Sequence, residues 1–468
     1  MTELTDLTIA EAAKKIEGRQ LSPVELAQAY LARIERLNPA INAYVMVTRD
    51  RAIADAQAAE GEIAAGKYRG PLHGIPIGLK DLVDTAGIRT AGGAKIFMDR
   101  VPGVDAEVAR RLREAGTVLL GKTNTHELAF GATTNNPHFG PTRNPWDTNC
   151  VPGGSSGGSA AAIAAGMAGG TIGTDTGGSI RIPASLCGCV GLKPTYGRVS
   201  KRGILPMSWL VDHPGPIVRT VEDAAIMLQV LAGYDAGDYA TVPMPVPDYR
   251  AALNGSVRGL RIGVAEEYYA ASLPEVAEAV RAAARWFQGE GAEVAPIDLP
   301  IDREKFGLAF AVVMAESKEA VSAEWEARPQ DFGADLQRIY SRPLPGGVEF
   351  AHALRAMKEL GEQYRIALST VDLVLVPTTP TAAVPISQEM IDLGGGVQIE
   401  TTNFLASLTS PFNMARLPAL SQSCGFTAAG LPIGMSLVGN PFDEATVLRA
   451  GHAFERATEW HRRRPALG

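Results

Sequence analysis

The residues able to do chemistry in this chain fall in three short stretches. Lys80 stands inside "GIPIGLKDLVDTAG" (74–87), preceded by Ile75, Ile77 and Leu79 and followed by Leu82 and Val83. An ammonium among such neighbours is costly unless paired, and desolvation lowers a lysine pKa. Lys80 therefore reads either as a strand-end lysine that snorkels or pairs with Asp81, or as a base kept neutral at working pH. The other two stretches are "GGSSGGS" at 153–159 and "DTGGSIR" at 175–181. Glycine at that density lets the backbone take positive φ, come close to a ligand and converge its N–H groups on an anion.

Three chemistries compete for these clusters. A phosphate cradle needs Lys-Ser/Thr at the end of its glycine loop, and neither cluster has it. A nucleophile elbow is formally matched by Gly153–Gly157, but "GPTRNPWDTNCVP" before it is polar and proline-bearing rather than a buried strand. His213, His352, His452 and His461 lie downstream, so a Ser-Asp-His set stays open. In the third, an unactivated serine hydroxyl takes a neutral lysine as its base. If Ser179 attacks, the N–H groups of Thr176, Gly177, Gly178 and Ser179 are placed to receive the oxyanion.

The chain that must position these groups has 468 residues, 46% hydrophobic and 20% charged, an ordinary composition for a globular protein. Residues 8–37 read as two amphipathic helices, the second capped by Ser22 with Pro23 at its first position. A further helix covers about 49–65. From 71 to 240, strands such as "PIGLKDLV" and "TVLLGKTN" alternate with helices such as "AEVARRLREAG", and 259–300 repeats the alternation. That is the pattern of an α/β layered fold. Residues 303–370 turn helical and more charged, as an inserted cap. Residues 371–386 carry a buried strand and a proline-rich loop, and a strand and closing helix follow. One domain over 1–468 is the economical division: N-terminal helices at 1–66, a core at 70–240, the insertion at 303–370, and 371–468 rejoining the same body.

The net charge of −7 offers no electrostatic footprint for nucleic acid or an anionic membrane. Cys150, Cys187, Cys189 and Cys424 are too few for a disulfide scaffold and suit reduced packing residues. The N-terminus lacks the regions of a signal peptide, and "SAAAIAAGMAGG" at 159–170 is too short to span a bilayer. The expected compartment is the cytoplasm. His126 and His138 invite a metal reading, but no H-E-x-x-H or equivalent spacing supports it. No cofactor and no metal are expected.

With these motifs in hand, the stretch from "GGSSGGSAAAIAAGMAGG" to "GLKPTYGRVS" resembles the defining Gly/Ser-rich segment of the amidase signature family. "GPLHGIPIGLKDLVDTAGIRTAGG", "TNTHELAFGATTNNPHFGPTRNPWD" and "GLPIGMSLVGNPFDEATVLRAGHAFE" resemble its lysine, substrate-side and closing segments. The resemblance is dense over 70–235 and 410–456. It implies a single large domain with a central twisted mixed sheet covered by helices on both faces, and a Ser-cisSer-Lys triad. Ser179 matches the nucleophile, Ser155 the bridging serine behind a cis peptide bond from Gly154, and Lys80 the base. By the same resemblance Ser156, Thr174, Asp175 and Arg181 support the triad, the last two as an ion pair. Ala129, Phe130 and Gly131 match the segment lining the acyl pocket. The family uses no metal.

The expected activity is serine amidohydrolysis of a small hydrophobic or aryl amide, with carbamates or esters as further candidates. The alternative is the glutaminase (A) subunit of a tRNA-dependent amidotransferase, and a second alternative is a non-catalytic scaffold. Against the glutaminase stand "SIRIPAS", "SWLVDHPGP" and the stretch "QIETTNFLASLTS", which lacks the acid expected to hold an α-amino group. Expected partners are accordingly a small-molecule amide, no nucleic acid and no membrane, in a monomer or homodimer. Within the insertion, Phe306, Phe310, Met314, Phe350 and Met357 lie on apolar helix faces that either cover core or roof the cleft.

Overall fold

The computed structural model describes residues 3–299 and 301–467, so Met1, Thr2, Pro300 and Gly468 of the expected domain lie outside the described residues. An eleven-stranded sheet organises the molecule. From one edge its strands are Tyr44–Val47, Val118–Thr123, Pro76–Lys80, Gly170–Asp175, His213–Val218, Val190–Lys193, Ala419–Phe426, Pro432–Gly439, Leu373–Pro377, Arg261–Val264 and Glu293–Pro296. The sheet is mixed. Pro76–Lys80 runs parallel to both its neighbours, whereas the strands from His213 to Val218 and from Ala419 to Gly439 pair antiparallel. Helices flank it on a single large α/β scaffold.

Local sequence explains the elements that carry the site. Pro76–Lys80 and Gly170–Asp175 are buried at every position, as parallel strands covered on both faces require. Lys80 ends one strand and Asp175 ends its parallel neighbour, so both are delivered to the same carboxyl edge of the sheet, where open α/β sheets place their ligand sites. His213–Val218 carries Pro214 and Pro216 within a sheet interior, where proline removes a ladder donor. Its pairing with Val190–Lys193 involves only Ile217 and Val218, so the proline-bearing half has a partner strand on one side only.

The long N-terminal helix Pro23–Ile41 begins as its sequence dictates: Ser22 Oγ accepts from Val24 and Glu25 N–H, with Pro23 in the first turn. The apolar window at 159–170 resolves into the short buried helix Gly157–Ala164 and the approach to the next strand. All four cysteines are free and buried. Among the described residues no helix is long and apolar enough to cross a membrane. Residues 303–370 form the helices Arg303–Glu319, Ser322–Ala327, Ala334–Tyr340 and Gly347–Leu368.

Candidate active site

Lys80 is fully buried, and its Nζ donates to Ser155 Oγ at 2.7 Å and to Thr174 Oγ1 at 2.8 Å. Burial lowers its pKa from 10.5 to about 7, against the opposing pull of Asp212 and then Asp175. Both hydrogen-bond partners are hydroxyls, which donate as well as accept, so an amine that has lost its proton still finds a donor for its lone pair. The peptide bond from Gly154 to Ser155 is cis. Ser156 Oγ donates to the Thr174 carbonyl at 3.2 Å and accepts from Thr174 N–H at 3.3 Å, while Ser156 N–H donates to the Ser179 carbonyl at 3.3 Å. The serine turn, the strand end and the 176–179 loop are thereby tied into one unit.

Asp175 and Arg181 clamp that loop. Arg181 Nε reaches Asp175 Oδ2 at 3.0 Å and Nη2 reaches Oδ1 at 2.9 Å, with both side chains wholly buried. Burial alone would raise the Asp175 pKa; the Arg181 guanidinium, with Lys193 and Asn413 Nδ2, holds it well below the usual carboxylate range. Asp175 also accepts from the N–H groups of Gly178 at 2.8 Å and Ile180 at 3.1 Å. This corrects one expectation: the Gly178 amide is spent on Asp175 and is not open to an oxyanion. Thr409 Oγ1 and Ser410 Oγ donate to the Gly177 carbonyl at 2.6 and 2.9 Å, so the Gly177–Gly178 peptide is held from both ends. Among the described residues the amides of Thr176, Gly177 and Ser179 have no acceptor. Gly178 has φ +130°, and a Cβ there would meet Thr409 Oγ1 at 2.1 Å, so this turn requires glycine.

A cavity of about 920 Å³ opens over the loop, and Thr176, Gly177, Ser179, Ala129, Phe130 and Gly131 all line it. Lys80, Ser155, Ser156, Asp175 and Arg181 are fully buried and Thr174 nearly so. Gly131 is needed where it is, because a Cβ would lie 2.4 Å from the ring of His126. Phe130 meets Phe310 and Tyr340 edge-on, at centroid distances of 6.2 and 6.4 Å. From the helical insertion Phe306, Phe310 and Met314 line the cavity. Met357 is buried in the core and Phe350 packs against it, outside the cavity lining.

Several groups escaped the sequence reading. His126, buried and lowered by that burial to about 4, lines the cavity. Asp212 accepts from Thr176 Oγ1 at 2.6 Å, and Asn413 bridges Asp175 and Arg181. "QIETTNFLASLTS", expected to lack an acid, contributes Glu400 to the cavity, where Asp335 also stands. Arg338 pairs with both, at 3.2 Å to Asp335 and 2.9 Å to Glu400. Arg342 lines the same mouth with no ionic partner among the described residues. No local pattern marks these residues, which come together from five separate stretches of chain.

The model of the amidase family matches residues 25–448. The A subunit of the glutamyl-tRNA(Gln) amidotransferase of Geobacter metallireducens is 42% identical over 493 residues, covering 99% of this chain and all of the relative. Among solved structures, one from a vestigial protein complex connected with the origins of an s-triazine catabolic enzyme aligns with TM-score 0.91 at 33% identity, over 96% of this chain and 98% of the other. A bacterial aryl acylamidase of the amidase signature family aligns with TM-score 0.89 at 29% identity, over 97% and 98%.

These relatives overturn the expectation of a monomer or homodimer without nucleic acid. The amidotransferase is named for a tRNA substrate, and the matching chain is one of its subunits. Net charge reports only whether a chain's own surface attracts phosphates. It says nothing of a substrate whose polyanionic part is held elsewhere in an assembly.

Proposed function

Because the chain belongs to the amidase family, whose model spans residues 25–448, we propose that it cleaves an amide C–N bond through an acyl-enzyme on Ser179. The observation that carries this is the fully buried Lys80 hydrogen-bonded to Ser155, its pKa brought down to about 7. The unprotonated amine takes a proton from Ser155 as Ser155 takes one from Ser179. Ser179 Oγ bonds to the substrate carbonyl carbon, and the carbonyl π electrons move to its oxygen. The amides of Thr176, Gly177 and Ser179 receive that oxyanion. Collapse breaks the C–N bond, and the proton returns through Ser155 to the departing nitrogen. Water then cleaves the ester by the same relay.

For the amide donor, the full-length similarity to the glutaminase-type component of an amidotransferase supports a glutaminase role, with the chain working inside an assembly that acts on glutamyl-tRNA(Gln). The charged mouth suits a free amino acid: Asp335 or Glu400 for its ammonium, Arg342 for its carboxylate. A second reading, hydrolysis of hydrophobic or aryl amides, is favoured by Phe130, Phe306, Phe310 and Met314 on the cavity wall. Measuring kcat/KM for glutamine, benzamide and acetanilide, with hydroxylamine to trap the acyl-enzyme, separates the two. Glutamine is expected to lead, with hydroxamate formed from it. An aryl amide leading by tenfold or more would reverse the order, and full activity in Ser179→Ala would remove the acyl-enzyme itself.

A further inference from the structure

We propose that Asp212 is a positioning residue for acyl transfer: it braces the 176–179 loop from behind through Thr176 and connects that loop to the helix lining the cavity. This rests on the reading of Ser179 as nucleophile. The chain of contacts is continuous. Thr176 Oγ1 donates to Asp212 Oδ1 at 2.6 Å, and Asp212 Oδ2 accepts from the N–H groups of Met207 and Ser208 at 2.9 and 3.0 Å. Ser208 Oγ in turn donates to Glu316 Oε2. Glu316 belongs to the helix Arg303–Glu319, whose Phe306, Phe310 and Met314 line the cavity.

The arrangement follows from the chemistry of the two sides. The Gly177–Gly178 peptide is pinned by Asp175, Thr409 and Ser410, but the Thr176 and Ser179 amides have no such anchor. A carboxylate bonded to the Thr176 hydroxyl fixes the first of these, because a charge-assisted bond is short and directional. Two backbone amides hold the other carboxylate oxygen, so the anchor cannot swing away. Substrate touching the roof helix meets an element joined to the loop through three side chains, which offers a route for acyl-group fit to reach the oxyanion donors.

Asp212 also faces the base: of the charges acting on Lys80 it is foremost, ahead of Asp175. The other charged or titratable groups facing Asp212 and Glu316 are Lys201 and Tyr196, while His126 is coupled to Lys80. An anion beside Lys80 favours its protonated form, so removing the Asp212 charge must move the acid limb of the rate to lower pH.

The test compares steady-state kinetics and pH profiles of wild type, Asp212→Ala, Asp212→Asn, Thr176→Val and Ser208→Ala on one hydrolysable amide. Asp212→Ala is expected to lower kcat by about tenfold or more with KM within about threefold, and to shift the acid limb down by at least about half a pH unit. Thr176→Val should lose a similar factor in kcat with the limb in place, and Ser208→Ala about twofold to fivefold. Thr176→Val and Asp212→Asn, which keep side-chain volume, decide the matter if Asp212→Ala does not fold. A kcat within twofold of wild type in Thr176→Val, or a loss in either Asp212 variant with the acid limb unmoved, overturns the proposal. An active Ser179→Ala would instead overturn the nucleophile reading, and the two failures are read from different proteins.

Discussion

Two lysines end neighbouring parts of the same sheet and are equally buried, yet only one of them is built as a base. Lys80 closes the strand Pro76–Lys80 and Lys193 closes Val190–Lys193; neither side chain has measurable exposure. Burial lowers the pKa of both. Their partners differ. Lys80 meets two hydroxyls, Ser155 and Thr174, whereas Lys193 donates to the carbonyls of Pro194, at 3.3 Å, and Leu417. A carbonyl only accepts, so around Lys193 nothing can donate to a free lone pair, and no proton can be passed on. Desolvation thus depresses a lysine pKa wherever it occurs, but proton relay needs neighbours that can reverse their hydrogen bonds. Lys122 shows an intermediate case, with the Val83 carbonyl and the Thr85 hydroxyl as partners.

The comparison breaks most sharply on activity. Lys80→Met is expected to lower kcat/KM by about 10³-fold or more while the protein stays folded, since removing a base that acts with its nucleophile costs nearly the whole effect of the pair. Circular dichroism with initial rates checks this. A variant within tenfold of wild type would return Lys80 to the class of Lys193.

Lys193→Met should do the opposite. Two buried carbonyls lose their donor, at a cost of about 2–4 kcal/mol in all, read as a lower denaturant midpoint. The rate per folded molecule should fall far less than in Lys80→Met. A Lys193 variant as inactive as the Lys80 variant would erase the distinction.

A pH series sharpens the same contrast. Activity should fall as pH drops through about 7, where Lys80 gains its proton. The stability sign follows from linkage. In the unfolded chain Lys80 keeps its proton up to about 10.5, and in the folded chain it loses it near 7. Between those values the unfolded state binds more protons, so the stability contributed at this site rises with pH, by at most about 1.4 kcal/mol per unit. The stability difference between wild type and Lys80→Met should therefore move in favour of wild type from pH 7 towards 10. A flat difference would mean that Lys80 is charged in the folded protein.

The smallest effect concerns the wall beyond the nucleophile. Phe310→Ala and Met314→Ala should change the preference among amides by about 10- to 200-fold without abolishing turnover, because trimming an apolar pocket alters discrimination by only a few kcal/mol. Rank order across glutamine, benzamide and acetanilide is the readout. An unchanged order in both variants would assign these side chains to packing alone.

What the sequence determined by itself is local. The glycine spacing around Ser155 and Ser179 prescribes turns that only glycine allows, the apolar flanks of Lys80 prescribe a buried strand end, and both follow from backbone and side-chain preferences acting over a few residues. The alternation of strand and helix likewise carried the α/β class and the family. Tertiary structure decided the rest. It alone placed Asp212 under Thr176, spent the Gly178 amide on Asp175, and brought Glu400 and Asp335 to a mouth that the sequence read as lacking an acid. It also set Lys80 against hydroxyls and Lys193 against carbonyls. Those contacts join residues far apart in the chain, and no nearby pattern encodes them. Their geometry is set by how the strands order themselves and how helices pack on the sheet, a choice made by the whole buried surface at once.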